Sequence, residues 1–335
     1  MRYPTSCVAS ARALRMGMAG LVILVATLTS SCSLTILNRE CPPLCLNQNL
    51  SGKNLEGRDL ANVHFMESNM RKARLSGANL SGADFSGTKL VEADLRSANL
   101  QRARMIGADL TQANLGEANL ENANLSGATF NGANLVRAEL RGANAANVNF
   151  SGAQMNGLDL SAINLASTEF TGAKLSTANL SGSNLSGSSL SQADLSGALL
   201  IRTTLAGVWL NVANLASANL RNAILNGSSL YGANLAGASL IDAQLRGANL
   251  VGAKLNGSTL CSADLSGAIL RYDAATFQLG DAISDPVIMQ MNQATRDGLN
   301  TNTDLRGARY NEATQWPQGF TIPREAVFDG SCNGS

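Results

Sequence analysis

The sequence predicts an all-β solenoid, and three observations lead there. From Leu50 to Leu270 one residue in five forms a repeat centre without a slip in register, and 36 of the 45 centres are Leu. The others are Phe65, Met70, Phe85, Met105, Phe130, Ala145, Phe150, Met155 and Phe170. The residue two before the centre is Ala in 29 of the 45, as in Ala78-Asn79-Leu80. No proline falls between Leu44 and Asp285, although Pro42, Pro43, Pro286, Pro317 and Pro323 crowd the flanks. A helix needs apolar residues about 3.6 apart and a strand needs alternation, so a period of five fits neither. It fits a chain that turns a corner at each repeat and stacks coil upon coil.

Within each repeat the residue types sort by direction. The centre and the preceding small residue point inward, and the other three face water. The slot just before the centre is polar except at Leu199, Trp209, Ile224 and Ile269, and 18 of the 45 are Asn. Ser-Gly is the commonest pair just after the centre, which suits a tight turn. The missing prolines fit a backbone whose N–H groups pair with neighbouring coils and cannot lose a donor. Ala145 is the one centre without a large side chain, while Val148, Leu158 and Ile163 are oversized for the small slot nearby. This reads as a swap of volume between neighbouring coils that keeps the interior full.

The motif A-[DN]-L-x-x, repeated as Ala108-Asp109-Leu110, Ala113-Asn114-Leu115, Ala118-Asn119-Leu120 and Ala123-Asn124-Leu125, is similar to the pentapeptide-repeat family. That resemblance implies a right-handed quadrilateral β-helix with four pentapeptides per coil. On that pattern the rod has about 11 coils and is on the order of 50 Å long, at roughly 4.8 Å per coil. The expected organisation is a signal peptide or anchor over 1–31, a linker or cap over 32–49, the β-helix over 50–270 and a C-terminal cap over 271–335. Ser284-Asp285-Pro286 resembles a helix start, so the cap is expected to hold a short helix near 286–297. Two further repeat-like units follow at Leu305 and Tyr310. A covering segment is expected because the last coil of a solenoid exposes apolar centres and unpaired edge groups.

At the N-terminus Arg2, Arg12 and Arg15 precede an apolar run, Met16 to Leu28, and the small residues Thr29-Ser30-Ser31 lead to Cys32. The order matches an export signal. Small residues directly before a Cys resemble a bacterial lipoprotein signal, with Cys32 lipidated, although Thr29 stands where that family has an aliphatic residue. Ordinary cleavage and an uncleaved anchor from Met16 to Leu37 are the alternatives. All three place the rod outside the cytoplasm, membrane-tethered in a periplasm or thylakoid lumen, or at the cell surface. The disulfide candidates are Cys41 with Cys45, closing the start of the first coil, and Cys261 with Cys332 of the tail. Cys261 follows a centre and is expected to face outward.

No catalytic constellation, cofactor motif or metal site emerges. The only histidine, His64, occupies an outward slot that is usually polar. Asp84, Asp94 and Asp109 occupy the same slot on separate coils, and none forms an evident acid–base pair. Gly247, Gly252, Ala253 and Lys254 resemble a phosphate loop only in glycine spacing, which is the repeat itself. Some members of the family resemble duplex DNA and protect DNA gyrase, which demands a strongly acidic surface. Residues 50–270 carry 16 Lys or Arg against 15 Asp or Glu, and Arg71, Lys72, Arg74, Arg102 and Arg104 cluster together. That balance argues against mimicry. Nucleic-acid binding is not expected either, because acids answer the bases one coil away: Lys72/Glu92, Arg74/Asp94, Asp84/Arg104, Lys89/Asp109, Glu117/Arg137, Glu121/Arg141 and Lys174/Asp194. Glu139/Asp159 alone pairs like with like at that spacing.

The sharper surface feature is apolar. Stacking by twenty gathers Trp209, Tyr231, Val251 and Ile269 on one face, and Leu199, Ile201 and Ile241 on the opposite one. One patch is expected to meet the tail or a partner. The function these features imply is a non-enzymatic, exported or membrane-tethered scaffold for protein–protein contact or self-association. The alternative is a localising or regulatory subunit of a catalytic partner, and a β-helix hydrolase would require acids clustered along one groove.

Overall fold

Each pentapeptide builds the same local unit. The centre and the residue before it run extended, and the next two residues turn a corner. The turn closes with an amide bond back to the centre, as from Lys53 N to Leu50 O at 3.1 Å. The second turn residue has a positive φ, +65° at Gly52 and also 56° at Lys72. Glycine adopts that conformation without a clash of Cβ, which is why the Gly of Ser-Gly recurs there.

The computed structural model describes residues 44–270 and 303–330. Four corners close one coil, because each outward residue bridges in parallel to the residue twenty further on: Asn49 to Asn69, Asn54 to Arg74, Asp59 to Asn79 and His64 to Asp84. Two bonds serve each bridge. Leu50 N donates to Asn69 O at 2.8 Å, and Asn69 N donates to Gln48 O at 2.9 Å. The repeat thus spends its amides on the adjacent coils, and proline would forfeit one of them.

The interior is four columns of centres, one per face. The Leu centres are buried along the length of the rod, and the aromatic centres stack on each other. Phe65 and Phe85 lie 5.1 Å apart, Phe130 and Phe150 5.2 Å, and Phe150 and Phe170 5.4 Å between ring centroids. Ala fills the narrower slot beside each column. Where a hydroxyl residue replaces it, the hydroxyl finds a carbonyl. Thr88 Oγ1 donates to Phe65 O at 2.7 Å, Ser188 Oγ to Leu165 O at 2.8 Å, and Ser228 Oγ to Leu225 O at 2.7 Å. Buried Ser and Thr therefore cost little here. Ala145, Val148, Leu158 and Ile163 are all buried in the same stretch.

The rod runs further than the sequence pattern marks. Cys45 is already a buried centre and donates to His64 O at 2.8 Å, so residues 44–49 belong to the first coil rather than to a linker. At the other end the ladder skips from Leu270 to Thr303. Leu255, Leu260 and Leu265 donate to Asp304, Arg309 and Gln315 at 2.8, 2.7 and 2.7 Å. The units at Leu305 and Tyr310 are thus the next coil. Trp316 follows at its third face with one extra residue, a spacing that hides it from a search by fives. Strand β1 (Arg309–Tyr310) then pairs in parallel with β2 (Val327–Phe328). Tyr310 meets Trp316 and Phe328 edge-on at 5.7 and 5.6 Å, and Trp316 stacks on Phe320 at 5.5 Å. These rings cover the end of the core. The segment 1–31, Cys32, Cys41 and Cys332, and the expected helix near 286–297 lie outside the described residues.

Candidate partner-binding face

The outward slots make the working surface, and the local fold decides how each is used. An Asn before the centre accepts from the amide two residues on, as Asn119 Oδ1 does from Glu121 N at 2.9 Å. Its amide group reaches along the rod to the same slot one coil earlier. Asn214 Nδ2 donates to Asp194 Oδ1 at 3.0 Å, and Asn234 Nδ2 to Asn214 Oδ1 at 3.0 Å. Much of each face is therefore a polar ladder that satisfies itself.

Charged side chains pair in the same way. Lys72 meets Glu92 at 3.4 Å, Arg104 meets Asp84 at 3.3 Å, Arg137 meets Glu117 at 3.1 Å and Arg141 meets Glu121 at 2.8 Å, as the twenty-residue spacing predicts. Arg74 departs from it. It takes Glu56 at 2.7 Å, across the corner, while Asp94 is held by Arg96 at 2.6 Å. An acceptor two or eighteen residues away lies as close as one directly above, and a long guanidinium reaches either. Lys89/Asp109 and Lys174/Asp194 are ladder neighbours, but neither forms an ion pair among those described.

Asp94, Asp194, Asp264 and Asp304 are held below the usual carboxylate range, and two of them show how. Hydrogen bonding from the Arg96 side chain lowers Asp94, outweighing the opposing effect of burial. At Asp264 burial pushes upward, but the Ser266 hydroxyl, the Arg246 guanidinium and the Ser266 amide together bring the carboxyl below normal. Both are ionised structural acceptors, the reverse of what a general acid needs. A shallow groove of about 480 Å³ lies at Gly116, where no side chain fills the corner. Arg96, Glu117 and Arg137 rim it, and each has its own ion-pair partner. Among the described residues no group of three or more His, Cys, Asp or Glu is placed to hold a metal. No described helix is long and apolar enough to cross a membrane.

The apolar residues singled out from the sequence share a face but do not form one strip. Trp209 and Ile269 occupy the same bridged column, with Ser229 and Asn249 between them. Ile269 is 40 % exposed and Trp209 partly so. Tyr231 and Val251 belong to the corner beside that column. Val251 is fully buried, as are Ser191 and Asn211 of the same corner. Side chains there turn along the rod: Asn211 Oδ1 accepts from Ser229 Oγ at 2.6 Å and from Tyr231 N at 3.2 Å. On the opposite face Leu199 is 41 % exposed, whereas Ile241 is buried. Cys261 is also buried rather than outward-facing. Cys45 and Cys261, at the two ends of the rod, are each disulfide-bonded. Sequence pattern missed the buried corner because the residue after a centre keeps at least partial exposure in most repeats.

A family model described as pentapeptide repeats matches in eight copies lying between residues 49 and 271. The chain belongs to the pentapeptide-repeat family. Its coil is the right-handed quadrilateral β-helix of that family. No curated protein matches the chain. Among solved structures, this pentapeptide-repeat protein is similar to HetL, a protein involved in heterocyst differentiation regulation from the cyanobacterium Nostoc sp. strain PCC 7120. The identity is 28 %, with 78 % of this chain and 89 % of that one covered and a TM-score of 0.27. It is similar to QnrB1, a plasmid-mediated fluoroquinolone resistance protein, at 24 % identity, covering 55 % and 91 % with a TM-score of 0.39. A pentapeptide-repeat protein from the Arabidopsis thaliana thylakoid lumen matches at 34 % identity, covering 31 % and 68 %, with a TM-score of 0.21.

Proposed function

We propose that this pentapeptide-repeat rod is a non-enzymatic scaffold, exported and tethered to a membrane, that binds another protein through the face carrying Trp209. The observation that carries this reading is the way the rod holds Trp209 and Ile269. They stand three coils apart on one flat column, roughly 14 Å at the spacing of stacked strands. The coils between them are joined by an unbroken ladder. Two anchors on a rigid support bind without the entropic loss of ordering a loop. The surrounding slots are Ser and Asn, which give a polar rim to an aromatic centre. Export is supported by the two disulfide-bonded cysteines, which suit an oxidising compartment, and by the Arg-rich start, apolar run and Cys32 of the sequence.

The test uses the full chain as bait in a detergent extract of its own membranes, beside a Trp209→Ser/Ile269→Ser variant of unchanged circular dichroism. Loss of a reproducible partner or of self-association in the variant supports the reading. Equal recovery with both chains refutes this face as the binding site.

A further inference from the structure

From Cys45 to Leu250 the amide of each repeat centre donates to the carbonyl nineteen residues on, with two exceptions: Leu140 and Ala145. The gap is contiguous. Asp159 and Asn164 do not donate to Ala138 and Ala143, and the turn amides of Arg137 and Gly142 do not reach Asn156 and Ser161. The parallel bridge between Glu139 and Asp159 is missing too, although Asn119 bridges Glu139 below and Asp159 bridges Asn179 above; on the next face Asn144 still bridges Asn164, so the ladder is broken at Asp159 and loosened at Asn164. Burial reports the same opening independently. Ala138 and Ala143 are 6 % and 5 % exposed, as open as Ala268 at the end of the repeat run, while the other Ala of that slot are at 0–1 %.

The sequence supplies a cause. Leu158 and Ile163 stand directly above Ala138 and Ala143 in the slot built for Ala. A lone oversized residue is tolerated: Val148 and Val208 sit in the same kind of slot with their ladders intact. Two in succession part the ladder at Asp159 and loosen it at Asn164 on the adjacent face. Ala145 offers spare volume on only one of those faces, and overpacked cores relieve themselves by backbone movement. Glu139 beneath Asp159 adds like charges across the same gap.

The other two faces stay closed at this level. Leu135 donates to Gln154 at 2.9 Å and Phe150 to Glu169 at 2.7 Å. Phe130, Phe150 and Phe170 stack there, on the face opposite Leu140 and Leu160. We infer that the rod carries a built-in hinge: it yields by opening between Arg137–Ala145 and Asn156–Asn164, about the stacked phenylalanines. The opening divides a rigid support into two stiff arms and makes their angle adjustable at one place.

Residue-resolved amide hydrogen exchange on the full chain tests this. Amides of Leu140, Gly142, Ala145, Asp159 and Asn164 are expected to exchange at least roughly tenfold faster than their equivalents one coil away, such as Leu120 and Leu160 for Leu140. Leu135 and Phe150 should match those slow neighbours, because they lie on the hinge side. Equal protection on all four faces would overturn the inference, and so would uniform loss around the whole coil. A second chain, Ala145→Leu/Leu158→Ala/Ile163→Ala, restores the ordinary residue at each position. It should bring the fast amides to their neighbours' rate, and continued fast exchange in a folded variant would exclude the packing cause and the hinge built on it.

Discussion

Thr88 Oγ1 donates to the carbonyl oxygen of Phe65 at 2.7 Å, from a slot where most repeats place Ala, and both residues are fully buried. That carbonyl also receives the amide of Ser68 at 3.0 Å, so removing the hydroxyl does not orphan it. Thr88→Val keeps the shape and deletes the donor. The expected cost is about 1 kcal/mol, that of one buried neutral hydrogen bond. A lowered urea midpoint checks this, and an unchanged one would show the hydroxyl to be idle.

Val212 holds a φ of 58° at the second position of its turn, where a β-branched side chain is strained. Val212→Gly is expected to stabilise the rod by about 1 kcal/mol, the left-handed penalty less the added flexibility of the unfolded chain. The converse is Gly77→Ala. Its φ is +62° and a new Cβ meets nothing within 4 Å, so its cost, again about 1 kcal/mol, is backbone strain alone. Thermal midpoints should move in opposite directions for the two variants.

Asp94 and Asp264 are both held below the ordinary carboxylate range, the first chiefly by Arg96, the second against burial by Ser266 and Arg246. A carboxylate whose pKa is lower folded than unfolded adds stability that is fully present above the unfolded value, about pH 4. That contribution is lost as pH falls through the folded value. Stability should therefore be level near neutrality and fall below about pH 4. Asp264→Asn should shallow the acid limb, while a limb of unchanged steepness would remove Asp264 as a contributor.

Cys32 is expected to carry lipid under the proposed tethering. Cys32→Ala should release the protein from the membrane fraction or leave it with its signal attached. Radiolabelled palmitate that enters the native chain and not the variant supports the tether. Failure to label the native chain leaves ordinary export or an uncleaved anchor.

The period of five carried most of the fold because every link between coils depends on one offset. Once Asn49 lies beneath Asn69, the inward Leu, the Ala slot, the positive-φ turn and the pairing of Glu117 with Arg137 follow locally, repeat after repeat. The oversized Leu158 and Ile163 and the small Ala145 were also visible as departures from the pattern. Tertiary structure decided whatever the offset leaves open. It chose Glu56 over Asp94 for Arg74, because a guanidinium reaches round a corner as easily as along a face. It closed the corner over Asn211 and Val251, so the expected apolar strip became two separated side chains, Trp209 and Ile269. It returned the chain at Thr303 to complete a coil left at Leu270, a contact that no local period encodes. It also showed the ladder broken between Glu139 and Asp159, beneath the oversized Leu158. Packing is settled by all neighbours at once, and a repeat pattern records only what each residue does on its own coil.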